Sequence, residues 1–112
     1  MLPLIGQGVK RASKIGDVLK KARECLDNGR YLDTSHAALR KQQRQISLTH
    51  VHYVIRNGYH EKRKDQYQPE YDDWTYAIRG KNIDGRDLRI AIAFDDDDML
   101  IITVIEITRG EH

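Results

Sequence analysis

The sequence predicts one α+β domain, in which N-terminal helices pack on a C-terminal antiparallel β-meander. Apolar residues recur at helical spacing as far as Tyr59 and at alternating positions later in the chain. The 112 residues suffice for one domain with one modest core. Charged residues make up 32% and hydrophobic residues 39%, which is typical of a soluble globular protein rather than a disordered chain.

The domain is predicted to start after a short arm. Residues 1–12 contain one proline and two glycines, so they are expected to form an arm or linker ahead of a single domain over residues 13–112. Ser13 is a suitable N-cap for the first helix, which the Asn28-Gly29 pair is expected to end. A short strand is predicted next, at residues 31–33.

Two further helices are predicted before the meander. The second is expected over residues 34–44 and the third over residues 47–58, each starting at a serine or threonine that can cap it. Residues 59–64 are rich in charge and are interpreted as an edge strand. Residues 66–72 are interpreted as a polar loop.

The meander is the clearest pattern in the chain. Two runs of alternating apolar and polar residues flank a predicted turn at residues 82–85. One register gathers the apolar side chains on a single face, and it is therefore favoured. That register pairs Ile78 with Ile90, Tyr76 with Ile92, and Trp74 with Phe94. Residues 100–107 are apolar on both faces, which predicts a central strand.

The same register places Arg79 directly opposite Arg89 on the outward face. Like charges in this position destabilise a sheet, so something is expected to offset them. Candidates are a carboxylate such as Asp87 or Glu106, plain solvent, or a bound phosphate. Two arginines on a rigid sheet would hold a phosphodiester and stabilise the charge that develops during its cleavage.

Charge is distributed unevenly along the chain, although the net charge is only +2. Residues 1–64 carry 14 Lys/Arg against 5 Asp/Glu, whereas residues 65–112 carry 5 against 12. A segregated positive surface is typical of proteins that bind a phosphate backbone. Two solvated faces of opposite sign explain the asymmetry equally well.

Several classes of protein and site are disfavoured. No apolar run approaches the ~20 residues that span a bilayer, so no membrane association is expected. Cys25 is the only cysteine, which excludes an internal disulfide. The five histidines lack the spacing of a zinc site. The acidic run at 95–98 is interpreted as a hairpin loop rather than a calcium site. Neither a metal nor another cofactor is expected.

A cluster on the predicted second helix is the first candidate for catalysis. His36, Arg40 and Arg44 are spaced four residues apart and would share one helical face. The helix dipole favours a neutral His36 there, which could take a proton from a ribose 2′-hydroxyl while the arginines bind phosphate. A histidine at a helix start can equally serve only as a cap and a packing residue.

Five residues around the meander are further candidates. Tyr76 is counted with the catalytic candidates, although it is also a natural core residue. Lys62 and Lys81 are candidates for contacting substrate, and with Tyr76 they are the remaining candidates for a general base. Tyr67 and Tyr71 lie in the polar loop region, where their rings could stack on bases.

Short motifs give the chain a resemblance to a bacterial family. Residues 35–44, Ser-His-Ala-Ala-Leu-Arg-Lys-Gln-Gln-Arg, resemble the Ser-x-His-Ala-x-x-Arg-x-x-x-Arg signature of a widespread bacterial domain of unknown function. The similarity continues, in the same order, through residues 46–58, 76–80, 84–90 and 101–105. It covers roughly residues 30–107.

Domains of this type are similar to the RelE-like toxins, which include the BrnT and MqsR families. The resemblance implies a RelE-like fold and a metal-independent endoribonuclease that acts on cytoplasmic RNA and is neutralised by a cognate antitoxin. Residues 6–14 resemble the linker before the toxin domains of secreted polymorphic toxins, which implies an immunity protein instead. DNA is not an expected partner. The alternative is a non-catalytic RNA- or protein-binding module that uses its basic helical face.

Overall fold

The computed structural model of the chain describes residues 11–34 and 46–108, which form an α+β fold. The helices in this part are α1 (Val18–Asp27) and α2 (Leu48–Asn57). A 3-10 turn occupies Lys62–Lys64. The strands are β1 (Tyr31–Asp33), β2 (Tyr59–His60), β3 (Gln66–Gln68), β4 (Asp73–Lys81), β5 (Asp87–Asp95) and β6 (Asp98–Glu106). Most of the predicted arm and of the predicted second helix, at residues 34–44, lies outside the described residues.

The six strands form one sheet in the order β1-β6-β5-β4-β2, with β3 also pairing with β4. All pairs are antiparallel except β1 with β6, which is parallel. The predicted meander and the central position of its last strand are therefore confirmed. The β4–β5 ladder contains the predicted pairs Tyr76–Ile92 and Ile78–Ile90. The predicted Trp74–Phe94 pair lies beyond the end of that ladder.

The core lies between the two helices and one face of the sheet. Apolar side chains of β4, β5 and β6 meet those of α1 and α2 there, and Ile78, Ile90 and Ile92 are fully buried as predicted. Trp74, which fits the same buried pattern in the sequence, is only partly buried. It lies at the end of the core, where its indole N–H donates to the Ala12 carbonyl at 2.8 Å. The other face of the sheet carries neither α1 nor α2.

The first helix starts later than the sequence predicts. Asp17, not Ser13, is its N-cap, and its carboxylate accepts the Lys20 N–H. The residues before Asp17 are instead held against the sheet, because the Ile15 N–H donates to the Tyr76 hydroxyl at 2.9 Å. Tertiary contacts of this segment, rather than the capping preference of Ser13, therefore determine where the helix starts. The Ser47 cap of α2 and the end of that helix at Asn57 are confirmed.

The edge beside β4 is less regular than predicted. Only Tyr59 and His60 form a strand, and the 3-10 turn replaces the rest of the predicted edge strand. The Asp65 side chain, 1% exposed, explains the bend, since it accepts the Ala77 N–H at 3.0 Å and contacts His60 and Lys14. Part of the predicted polar loop is strand β3.

Candidate functional site

The sheet face that α1 and α2 leave uncovered presents a line of small side chains with arginines at one end. Side chains alternate along a strand, so Thr75, Ala77 and Arg79 of β4 share this face, which we call the open face because neither helix of the described residues covers it. Across the ladder, Ala77 pairs with Ala91 and Arg79 pairs with Arg89. The predicted opposition of the two arginines on the outward face is confirmed.

A single carboxylate joins these two arginines. Arg89 donates from Nε to Glu61 Oε1 at 2.7 Å and from Nη2 to Glu61 Oε2 at 3.2 Å. Arg79 donates from Nη1 to Glu61 Oε2 at 2.9 Å. The Glu61 side chain is only 4% exposed, and those of Arg79 and Arg89 are 16% and 15% exposed. These three side chains are therefore largely desolvated, and hydrogen bonds between charged groups are strong in such surroundings.

Two further residues complete the cluster. Asp87 accepts from Arg79 Nε at 3.0 Å and Nη2 at 2.7 Å, which makes this pair bidentate. The exposed Arg63 guanidinium lies 3.4 Å from Glu61. Three arginines and two carboxylates leave one net positive charge. The five residues form what we call the arginine cluster, whose members are Glu61, Arg63, Arg79, Asp87 and Arg89.

The sequence did not identify Glu61 as the residue that offsets the arginines. Of the two carboxylates that the sequence offers as candidates, Asp87 contacts Arg79 and Glu106 contacts Arg86. Glu61 reaches the open face because its backbone N–H donates to the Ala77 carbonyl, which continues the pairing of β2 along β4. The register of β2 on β4 would have identified Glu61. Tyr59 pairs with Arg79, so Glu61, two positions later, lies beside Ala77.

The hydrogen bonds also fix the charge states of the cluster. Those from Arg89, and then from Arg79, lower the pKa of the Glu61 carboxyl below its usual value despite its burial. The bidentate contact with Asp87 raises the pKa of the Arg79 guanidinium. Glu61 is therefore ionised at neutral pH, and the Arg79 guanidinium keeps its charge.

Glu61→Gln is expected to lower the free energy of unfolding by about 3 kcal/mol at pH 7, since it leaves two desolvated guanidiniums without their shared carboxylate. The folded-state pKa of Glu61 lies below its unfolded value of about 4.3. The stabilisation is therefore fully present above that value and is lost as pH falls through the folded-state pKa. The free energies of unfolding of the wild-type and Glu61→Gln proteins should therefore converge as pH falls. Urea unfolding of the two proteins from pH 7 to pH 2.5 measures this.

Glu70→Gln is the matched control, because Glu70 is an exposed loop residue. It removes the same charge and should change stability by less than about 0.5 kcal/mol at any pH. A Glu61→Gln protein as stable as the control at pH 7 would show that the carboxylate does not hold the arginines in place.

The other residues singled out in the sequence are scattered. Lys81 lies two positions beyond Arg79 in β4 and shares its face by alternation, and it is exposed. Lys62, also exposed, is in the turn that follows Glu61. Tyr76 lies on the opposite, helix-covered face at 1% exposure, where burial raises the pKa of its hydroxyl. That position argues against Tyr76 as a general base for chemistry on the open face.

The two loop tyrosines have different surroundings. The Tyr67 hydroxyl donates to Asp72, and this hydrogen bond raises the pKa of the tyrosine and lowers that of the aspartate. Its ring also contacts Trp74 and the Arg11 guanidinium, so Tyr67 is already engaged within the protein. Tyr71 is 78% exposed and lines a cleft. His36, Arg40 and Arg44 lie outside the described residues.

Metal ligands and membrane-spanning helices are both absent from the described ranges, 11–34 and 46–108. These ranges contain no group of three or more His, Cys, Asp or Glu side chains arranged to hold a metal ion. The four aspartates at 95–98 form a tight turn between paired strands, in agreement with the hairpin interpretation. No helix in these ranges is long and apolar enough to cross a membrane.

Comparison with known proteins assigns the chain to a family. The sequence model of a domain of unknown function, DUF4258, matches residues 34–106. This span is more than half of the 112 residues, and the chain therefore belongs to that family. No curated protein and no solved structure matches the chain. The matched span includes the entire arginine cluster.

Proposed function

We propose that this DUF4258 domain is a toxin-like endoribonuclease that cleaves single-stranded RNA without a metal ion, by attack of a ribose 2′-hydroxyl on the adjacent phosphate. One observation supports this proposal above others: Arg79 and Arg89 lie side by side on the open sheet face, held by Glu61. Fixed guanidiniums around a phosphate stabilise the charge that builds up in the transition state.

The arginine cluster retains hydrogen-bonding capacity for a phosphate. A guanidinium has five N–H donors. The contacts described use two from Arg89, on Nε and Nη2, and three from Arg79. The exposed Arg63 adds more. One net positive charge matches one phosphodiester. The carboxylates therefore orient the arginines without exhausting them.

The reaction also needs a base for the 2′-hydroxyl and an acid for the leaving oxygen. Glu61 is a poor base, because its lowered pKa reduces its affinity for a proton. Its role in this proposal is to position Arg79 and Arg89. His36 remains the predicted base, since a neutral imidazole can accept a proton at physiological pH.

The resemblance to RelE-like toxins extends the proposal to a partner. A cognate antitoxin or immunity protein would neutralise such an enzyme by covering the open face. Its contact surface should carry carboxylates, because these would compete with phosphate for Arg63 and Arg89. The competing function is a non-catalytic binding module, which is favoured by the fact that Arg79 already has two carboxylate partners.

Incubation with fluorescently labelled single-stranded RNA in excess EDTA separates these functions. The nuclease proposal predicts discrete fragments whose rate of formation is unchanged by EDTA. Fluorescence anisotropy in parallel should show binding that weakens steeply with salt. Binding without cleavage would support the module instead, and absence of both would exclude RNA as the ligand.

His36→Ala is expected to slow this cleavage by ~10²-fold or more, the usual contribution of a general base. Thermal unfolding should be measured alongside, because loss of a helix cap alone costs about 1 kcal/mol. His52→Ala, which removes a histidine from α2 instead, is the comparison variant for both the cleavage rate and thermal unfolding. A His36→Ala protein that unfolds earlier yet cleaves RNA normally would assign His36 to the fold.

A further inference from the structure

A second feature of the open face lies at the other end of the same strands. A cleft of about 690 Å³ opens where β4 begins and β5 ends. Such a volume is within the range of small-molecule sites. Its floor is apolar and includes Ala93, Leu100 and Ile102.

One wall of the cleft is aromatic. Tyr71 lines it from the loop after β3, whereas Trp74 and Phe94 border it from β4 and β5 with their rings on the helix-covered side of the sheet. The Tyr71 side chain is 78% exposed, although it is large and partly apolar. An apolar floor with an exposed aromatic wall suits a flat ring, which gains from stacking as well as from burial.

The cleft and the arginine cluster are connected. Thr75 and Ala93 line the cleft, and each lies four residues from an arginine of the cluster, Arg79 or Arg89, along its own strand. Four residues of β-strand correspond to about 13 Å. The small, paired side chains of Ala77 and Ala91 lie between them on this face. A short stretch of single-stranded RNA can therefore place a phosphate on the arginines and a base in the cleft.

The rim of the cleft favours particular bases. Asp73 and Asp95 line it, and an ionised carboxylate only accepts hydrogen bonds. Asp73 already accepts the Trp74 backbone N–H at 2.8 Å. Asp95 is therefore the better placed carboxylate to contact a ligand. Guanine presents adjacent N1–H and N2–H donors, which match the two oxygens of one carboxylate.

We infer that this cleft is a base-binding site that selects guanine in single-stranded RNA, with Tyr71 stacking on the base and Asp95 accepting its N–H donors. The inference rests on the proposed function, because it takes RNA as the substrate of the neighbouring arginine cluster. It adds a sequence preference, which the arginines alone cannot supply, since phosphate contacts carry no base information.

Trp74 provides the readout, because it is the only tryptophan and lines the cleft. Titration of the protein with GMP, IMP, AMP, CMP and UMP should change its fluorescence most strongly with GMP. All five share the phosphate, so differences report on the base. IMP lacks only the 2-amino group and should bind about 10-fold more weakly than GMP, the effect of one hydrogen bond to a charged group.

Matched variants identify which side chains select the base. Asp95→Asn should remove the preference for GMP over IMP, whereas Asp96→Asn, in the same hairpin but outside the cleft lining, should keep it. Tyr71→Ala should weaken all five nucleotides about 10-fold or more through lost stacking. Tyr53→Ala removes another exposed tyrosine, on α2, and should leave binding unchanged.

The wild-type titration decides the inference even if a variant fails to fold. Equal binding of GMP and UMP, or no fluorescence change with any nucleotide, would overturn it. In that case, RNA cleavage in EDTA without base preference would leave the nuclease proposal standing. Selective GMP binding by a protein that does not cleave RNA would instead support the cleft and reject the nuclease.

Discussion

Arg89→Gln is expected to slow cleavage of single-stranded RNA by about 10²- to 10³-fold, the usual cost of removing one donor that stabilises transition-state charge. Of the two paired arginines, Arg89 is the more available to a phosphate, because its contacts use two of its N–H donors, on Nε and Nη2, whereas those of Arg79 use three. Glutamine keeps a hydrogen-bond donor but loses the charge and the planar fork. Single-turnover cleavage of a labelled oligonucleotide measures the effect.

Arg56→Gln is the control for this variant. Arg56 forms an exposed ion pair with Asp27, away from the sheet face, and its loss should change the cleavage rate by less than about twofold. Arg89→Lys tests geometry, because lysine keeps the charge without bidentate donation, and it should recover only part of the rate. Wild-type cleavage by a folded Arg89→Gln protein would place the phosphate elsewhere.

Gly58→Ala should destabilise the domain by about 3 kcal/mol, near the upper end of overpacking effects. A Cβ atom at residue 58 would lie 2.3 Å from the Arg79 carbonyl oxygen and 2.6 Å from that of Val54. Both are backbone atoms of packed elements, so neither can move cheaply. Gly80 lies on the other side of this contact, where its own Cβ would approach the Gly58 Cα at 2.9 Å. Urea denaturation measures the loss.

Gly16→Ala provides the comparison, since a Cβ there meets nothing within 4 Å. It should be neutral or slightly stabilising, because alanine reduces the entropy of the unfolded chain. Equal stability of the Gly58→Ala and Gly16→Ala proteins would contradict the close approach of α2 to β4. Such an outcome would also weaken the case for the site, because this contact positions the end of α2 next to Arg79.

Features of the fold that follow from a pattern repeated over many residues are predictable from the sequence. The β4–β5 register follows from alternation, because a one-residue slip would move Ile78 and Ile90 to the open face. The same alternation is sufficient to place Arg79 opposite Arg89. The end of α2 at Asn57 agrees with the expectation from the Asn57-Gly58 pair, although Gly58 is extended there and its role is to allow the close approach of the Arg79 and Val54 carbonyls.

Features that depend on a single long-range contact are not predictable from the sequence. Ser13 is a good helix cap by type, but the hydrogen bond from Ile15 to Tyr76 holds the preceding segment in another conformation. The role of Glu61 cannot be predicted from the sequence, because it depends on β2 pairing with β4 past the 3-10 turn and strand β3 that lie between them. Tyr67 and Tyr71 look alike in sequence, and only tertiary contacts separate the engaged ring from the exposed one.

The chemistry at the cleaved bond tests the central claim most directly. RNA should be cleaved in EDTA and its products examined by mass spectrometry, next to a substrate with a single 2′-deoxy nucleotide at the cleavage position. The account predicts a 2′,3′-cyclic phosphate on one product and no cleavage at the deoxy position, because the attacking 2′-hydroxyl is missing. Cleavage that proceeds through the deoxy position, or that stops in EDTA, would contradict metal-independent attack by the 2′-hydroxyl.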